Sequence, residues 1–127
     1  MDIIIKMNIN IKATSLELTL PLREYIEMKM KNLEKFLKRL DEKGAVKMQI
    51  EIARTTHHHL KGDVYYAEAN LSLPKEVLRA EAQNIDIRAA IDEIQAELKR
   101  QIEKYSDIRE TKFRRGMRLL KKAIRGF

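Results

Sequence analysis

The sequence predicts an α+β domain of two layers, in which two helices cover one face of a four-stranded sheet in the order β-α-β-β-β-α. Four segments alternate apolar and polar residues with the period of a half-buried strand. Two longer segments repeat apolar residues at spacings of three and four, as one-sided helices do. The length of 127 residues suits one domain with a single modest core.

The first strand is predicted at residues 7–13, where apolar and polar side chains alternate strictly. Thr19 is placed to cap the helix that follows, and Pro21 fits its first turn, where a missing N–H costs no hydrogen bond. This helix is expected to continue without interruption and to end near Gly44. Its apolar stripe consists of Leu22, Ile26, Met30, Leu33, Leu37 and Leu40.

Three further strands are predicted at residues 46–54, 64–73 and 77–83, each with one apolar face. A polar loop at residues 55–63 separates the first two, and Pro74 interrupts the pattern before the third. This close spacing favours a meander of antiparallel hairpins.

A second helix is predicted after Asp86, which can cap it. We expect residues 1–106 to form the folded domain and residues 107–127 to form a basic amphipathic tail. Gly116 weakens the helical pattern of the tail, so two states are left open: a disordered segment, or a helix, which could form only on binding. The stripe of the second helix consists of Ile87, Ile91, Ile94, Leu98, Ile102 and Tyr105.

Positive charge is concentrated at the C-terminal end of the chain. Residues 99–127 carry eleven Lys or Arg against three acidic residues, a balance of +8. The other 98 residues carry fifteen basic and sixteen acidic side chains and are nearly neutral. This asymmetry predicts a polyanionic partner, either a nucleic acid or an anionic membrane.

Sequence motifs for catalysis or cofactor binding are missing. The chain has no cysteine and no Gly-rich phosphate loop, and none of its Ser residues lies in a recognisable nucleophile motif. We therefore expect no enzyme activity, no cofactor and no metal. The triplet at residues 57–59, three histidines, is interpreted as part of an exposed loop in preference to a metal or phosphate site. Without a signal peptide or a membrane span, the protein is expected in the cytoplasm.

The outward face of the predicted sheet carries Glu51, Glu68 and Glu81 beside few aromatic residues. Carboxylates repel a phosphate backbone, so this face does not suit base stacking of the kind found on RNA-binding sheets. The basic groups belong instead to the helices and the tail, where they favour contact with backbone charge and shape.

The segment at residues 86–102, DIRAAIDEIQAELKRQI, resembles the second-helix signature of the ribosome hibernation promoting factors, the family that includes ribosome-associated inhibitor A (protein Y). Residues 8–12 (NINIK), 22–26 (LREYI) and 58–65 (HHLKGDVY) are weaker matches to the same family. The resemblance extends from residue 7 to about residue 106. Long members of the family carry a separate C-terminal domain. Residues 107–127 are too short for that domain, so the resemblance implies a short form.

The resemblance implies a binding protein that occupies the mRNA and tRNA channel of the small ribosomal subunit, contacts 16S rRNA, inhibits translation and stabilises idle ribosomes. Its partners would be the small subunit and the whole ribosome, with no small-molecule substrate. The positions that match the family are Arg23, Lys29, Arg39, Arg100 and Lys104. On charge alone, the expected rRNA-binding residues also include Lys31, Lys35, Arg79, Arg88, Arg114, Arg115 and Arg118.

Two other functions remain open at the level of the sequence. The predicted fold is similar to double-stranded-RNA-binding domains, so the protein could bind any RNA duplex. The tail could also hold the protein on a membrane surface, although it lacks Trp and has few apolar residues for that purpose. Mixed Lys and Glu on the first helix are also typical of an ordinary solvated helix face.

Overall fold

The computed structural model of the protein describes residues 7–37, 46–55, 62 and 64–125. A four-stranded sheet with the order β1-β2-β3-β4 is covered on one face by helices, which confirms the predicted two-layer α+β fold. The strands are β1 (Met7–Thr14), β2 (Val46–Thr55), β3 (Val64–Ser72) and β4 (Val77–Asn84). The histidine triplet at residues 57–59 lies outside the described residues.

Strand pairing follows from the connections between the strands. β1 pairs with β2 in parallel, because the chain crosses over through helical structure between them. β2, β3 and β4 pair antiparallel in sequence order, which confirms the predicted meander. The pairing aligns Glu51 with Glu68 and Glu68 with Glu81, so these three carboxylates form one row across the sheet.

The first helical region consists of two helices, α1 (Leu20–Lys31) and α2 (Glu34–Leu37). Thr19 caps α1 as predicted, since its Oγ1 accepts a 3.3 Å hydrogen bond from the Leu22 N–H. The prediction of one uninterrupted helix is wrong, because the chain turns at residues 32–33. Apolar periodicity does not reveal this turn, since Leu33 and Leu37 are buried in spite of it. The expected end near Gly44, together with Arg39 and Leu40, lies outside the described residues.

The last helix, α3 (Ile87–Arg125), is 39 residues long. It begins where predicted, and Asp86 Oδ1 accepts a 3.0 Å hydrogen bond from the Arg88 N–H. It does not end near Tyr105, because the basic tail continues the same helix through Gly116. The surrounding Lys, Arg, Glu and Leu residues are strong helix formers, which offsets the cost of about 1 kcal/mol for one glycine.

One hydrophobic core lies between the sheet and the helices. Ile26 and Met30 of α1 pack with side chains of β2 and β3 and with Ile94 and Leu98 of α3. The last fully buried residue of α3 is Ile102, and every described residue from position 107 onward is exposed. About five turns of α3 therefore extend beyond the core.

Candidate nucleic-acid interface

The first group of expected binding residues lies where α1 meets α3. The Tyr25 hydroxyl donates a 2.5 Å hydrogen bond to Asp92 Oδ1, and Lys29 Nζ lies 3.2 Å from the same oxygen. Gln95 adds a third link, because its Nε2 donates to the Lys29 carbonyl oxygen at 2.8 Å. The hydrogen bond to Asp92 raises the pKa of Tyr25 and also the pKa of Lys29. Lys29 thus remains charged and is held at the junction of the two helices.

Aromatic rings at this junction are covered by cations. The Arg88 guanidinium lies 5.3 Å from the centre of the Tyr25 ring. Further along, the ammonium groups of Lys35 and Lys99 lie 5.1 Å and 4.9 Å from the Phe36 ring. Such cation–π contacts hold long basic side chains near one surface, where phosphate groups could reach them.

The second group lies on the flank of α3 beside β4. Arg100 makes two hydrogen bonds with Glu97, from Nη2 at 2.6 Å and from Nε at 3.0 Å. These bonds, with another from Gln101, lower the pKa of Glu97 to about 2. Lys104 follows one turn later, and with Arg100 it lines a cleft of about 360 Å³ next to Leu78 at the start of β4.

The extended part of α3 carries the third group, Arg114, Arg115 and Arg118, all of which are exposed. Arg114 pairs with Glu110 at 2.8 Å. Because α3 is continuous, residues separated by three, four or eleven positions share one helix face. We call the resulting set the basic row. It consists of Arg100, Lys104, Arg115, Arg118 and Lys122.

Three expected residues lie elsewhere on the helices or outside the described chain. Arg23 is exposed on α1, with a loose contact of 4.0 Å to Glu27. Lys31 is exposed at the end of α1. Arg39 lies outside the described residues. The helix surface therefore gathers most of the expected residues but distributes them over two sides of α3.

Arg79 is separated from all of these, on the open face of the sheet. Its Nη2 lies 3.1 Å from Glu68 and 3.4 Å from Glu81. The Tyr66 hydroxyl donates to the same two carboxylates, at 2.7 Å and 3.0 Å. The bond from Tyr66 is the main cause of the lowered pKa of Glu68, while burial raises the pKa of Tyr66. Arg79 is thus already surrounded by anionic partners.

With this geometry described, the chain can be compared with known proteins. Residues 9–110 match the model of the family described as sigma 54 modulation protein / S30EA ribosomal protein. The chain belongs to this family. The membership confirms the resemblance inferred from the helix signature, and the S30EA match includes the core and the first part of the extended helix.

Several relatives of this S30EA chain are named for ribosome hibernation. It is 29% identical over 101 residues to the ribosome hibernation promoting factor of Escherichia coli K12, covering 80% of this chain and 95% of that one. It is 27% identical over 95 residues to the ribosome hibernation promotion factor of Deinococcus radiodurans, covering 75% of this chain. The match spans only 47% of the Deinococcus protein.

Solved structures agree with the fold. The N-terminal domain of Thermus thermophilus Protein Y superposes with a TM-score of 0.63 and 27% identity, over 78% of this chain and 99% of that domain. A ribosomal subunit interface protein from Coxiella burnetii superposes with a TM-score of 0.53 at 22% identity, covering 76% and 97% of the two chains, and supports the fold alone. Among the described helices, none has a stretch long and apolar enough to span a bilayer.

Several residues of this surface were not identified from the sequence as part of the site. Asp92, Glu97 and Gln101 are acidic or neutral, so a search for positive charge does not select them. Lys99 is not among the expected rRNA-binding residues, although its ammonium group lies over the Phe36 ring, as that of Lys35 does. The spacing of Glu97 and Arg100 on one helix was the available signal, since residues three apart are neighbours.

Proposed function

We propose that this S30EA family member is a ribosome hibernation factor that binds the small ribosomal subunit through 16S rRNA. It would occupy the channel of mRNA and tRNA, inhibit translation and stabilise idle ribosomes. The observation that carries this proposal is the family match over residues 9–110, together with relatives named for ribosome hibernation.

The charge distribution supports RNA as the partner. From Arg100 to Lys122 the basic row covers 22 residue steps of one continuous helix, which is about 33 Å at 1.5 Å per residue. The phosphates of an RNA strand also lie along a line, so several side chains of the row could contact phosphates of one strand. Each such contact releases a condensed counterion. Lys29, Lys35, Arg88 and Lys99 add charge where α3 meets α1 and α2.

The proposed mechanism is occupation of a site and not catalysis. A rigid body with many phosphate contacts can exclude mRNA and tRNA from the same channel without chemistry on either. The protein would act in the cytoplasm, where the ribosomes are. It would need neither a small-molecule substrate nor a cofactor.

Co-sedimentation on sucrose gradients tests the proposal. The purified protein is mixed with small subunits, whole ribosomes or a random-sequence RNA duplex at low and at moderate salt. We expect it to migrate with small subunits and ribosomes at moderate salt, and mRNA with tRNA should displace it. Equal binding to the duplex would favour a general duplex-RNA-binding protein. Binding to anionic vesicles with release from ribosomes would favour a membrane-surface function.

A matched pair of variants locates the contact. Arg118→Gln removes one charge from the basic row, whereas Arg79→Gln removes the same charge from the open sheet face. We expect Arg118→Gln to lower the slope of log K against log salt by about 0.7 to 0.9 and Arg79→Gln to change it little. A larger effect of Arg79→Gln would move the proposed interface to the sheet.

A further inference from the structure

A chain of hydrogen bonds links the backbone of β4 to the guanidinium of Arg100. The Gln101 Nε2 donates to the Arg79 carbonyl oxygen at 2.8 Å and also to Glu97 Oε1 at 3.0 Å. Glu97 in turn accepts the two bonds from Arg100. The sheet thereby fixes the carboxylate, and the carboxylate fixes the arginine.

Among the described residues, only Glu97 bonds to the Arg100 guanidinium, and one edge of the group has no partner there. A guanidinium has five N–H donors in a plane, and Glu97 takes one from Nε and one from Nη2. The second donor on Nη2 and one donor on Nη1 form the outer edge, and 63% of the side chain is exposed. That edge has the fork geometry that binds two oxygens of one phosphate.

We infer that Glu97 and Gln101 are positioning residues, which hold Arg100 so that its outer edge meets one phosphate of the RNA target. This inference rests on the proposed function, and it adds a source of selectivity to it. A freely rotating arginine loses side-chain entropy when it binds, whereas an arginine that is already held loses less.

The negative charge of Glu97 makes the effect selective. A carboxylate on a basic surface weakens binding to every RNA, because it repels phosphates in all positions. Only a target whose phosphate lies at the outer edge of the held Arg100 gains the compensating benefit of its fixed orientation. Glu97 should therefore disfavour generic duplexes more than the correct site. If only the number of charges mattered, Glu97 would weaken binding to a generic duplex and to the correct site by the same factor.

The test compares Glu97→Gln with Glu103→Gln in the full-length protein. Both variants remove one negative charge from α3, but Glu103 is exposed and has no ion-pair partner among the described residues. Dissociation constants are measured for the small subunit and for a random-sequence RNA duplex at the same salt. Selectivity is the ratio of the two affinities.

We expect Glu103→Gln to tighten both complexes by similar factors and to leave the selectivity unchanged. Glu97→Gln should tighten the duplex complex but lower the selectivity by about three- to fivefold, which corresponds to one well-formed ion pair. Gln101→Ala, which changes no charge, should weaken the small-subunit complex and leave the duplex complex unchanged. Thermal unfolding of each variant verifies that these substitutions leave the fold intact.

The outcomes separate this inference from the proposed function. If the wild-type protein prefers the small subunit and Glu97→Gln shifts both affinities as Glu103→Gln does, only the positioning role is overturned. If the wild-type protein shows no preference for the small subunit, the proposed function fails and this inference fails with it.

Discussion

The hydroxyl of Tyr25 on α1 donates a 2.5 Å hydrogen bond to Asp92 on α3, across 67 residues of sequence. Asp92 also binds Lys29, so one carboxylate joins a tyrosine and a lysine of α1 to the opposite helix. Asp92 thus links the contact between α1 and α3 to the position of the Lys29 side chain on the surface.

Removal of that hydroxyl tests its contribution to the fold. Tyr25→Phe keeps the ring and its contact with Arg88 but loses the bond to Asp92. We expect the free energy of unfolding, measured with denaturant, to fall by about 1 kcal/mol. Tyr105→Phe is the control, because the Tyr105 hydroxyl has no hydrogen bond to the described residues. Equal effects of the two substitutions would contradict a specific role for the Tyr25 hydroxyl.

The pairing of Glu97 with Arg100 predicts that the Glu97 carboxyl titrates at an unusually low pH. Glu97 has its pKa lowered from 4.5 to about 2 by hydrogen bonds from Arg100 and Gln101. Since the folded pKa lies below the unfolded one, the pair stabilises the fold above about pH 4.5, and this contribution is lost as the pH falls towards 2. Carboxyl NMR should show a midpoint near 2 for Glu97, and Arg100→Gln should move that midpoint upward. A midpoint near 4.5 in the wild type would mean that the pair does not form in solution.

Truncation tests the extended part of α3. Removing residues 107–127 leaves the whole core in place, since its last buried residue is Ile102. We expect the thermal unfolding temperature of the body to change little. If Arg115, Arg118 and Lys122 each contact one phosphate, the slope of log K against log salt should fall by about 2 to 3. Unchanged affinity and slope would remove the extension from the proposed interface.

Gly116 allows the alignment of the basic row to be changed without altering charge. A Cβ at this position would meet nothing within 4 Å, so Gly116→Ala should fit and stabilise the helix locally by about 0.5 to 1 kcal/mol. Gly116→Pro should break the helix and separate Arg118 and Lys122 from Arg100 and Lys104.

Hydrogen exchange and RNA binding report these two effects. Amides after position 116 should exchange more slowly in Gly116→Ala and faster in Gly116→Pro. Small-subunit affinity should fall in the proline variant alone. If the proline variant binds as the wild type does, an aligned row is not required and charge alone is sufficient.

Much of the fold could be predicted because its signals are local. Thr19 and Asp86 cap helices as their positions in the sequence indicate, and alternation in β2 places Met48 and Ile52 inward. The turn at residues 32–33 escaped prediction, because Leu33 and Leu37 reach the core with or without it. The pattern of buried residues therefore does not distinguish one helix from two.

By itself, the sequence determined the order of the strands and helical regions, the concentration of charge from Lys99 onward and the family signature in α3. Only the tertiary structure decided that the tail continues α3, that Arg100 is held by Glu97 and Gln101, and that Arg79 lies among carboxylates on the other side of the sheet. The physical reason is that periodicity and composition record which side chains are apolar or charged, whereas the partner of each charge depends on contacts between elements that are distant in the chain. The direction of Arg100 is a property of the packed sheet and helix.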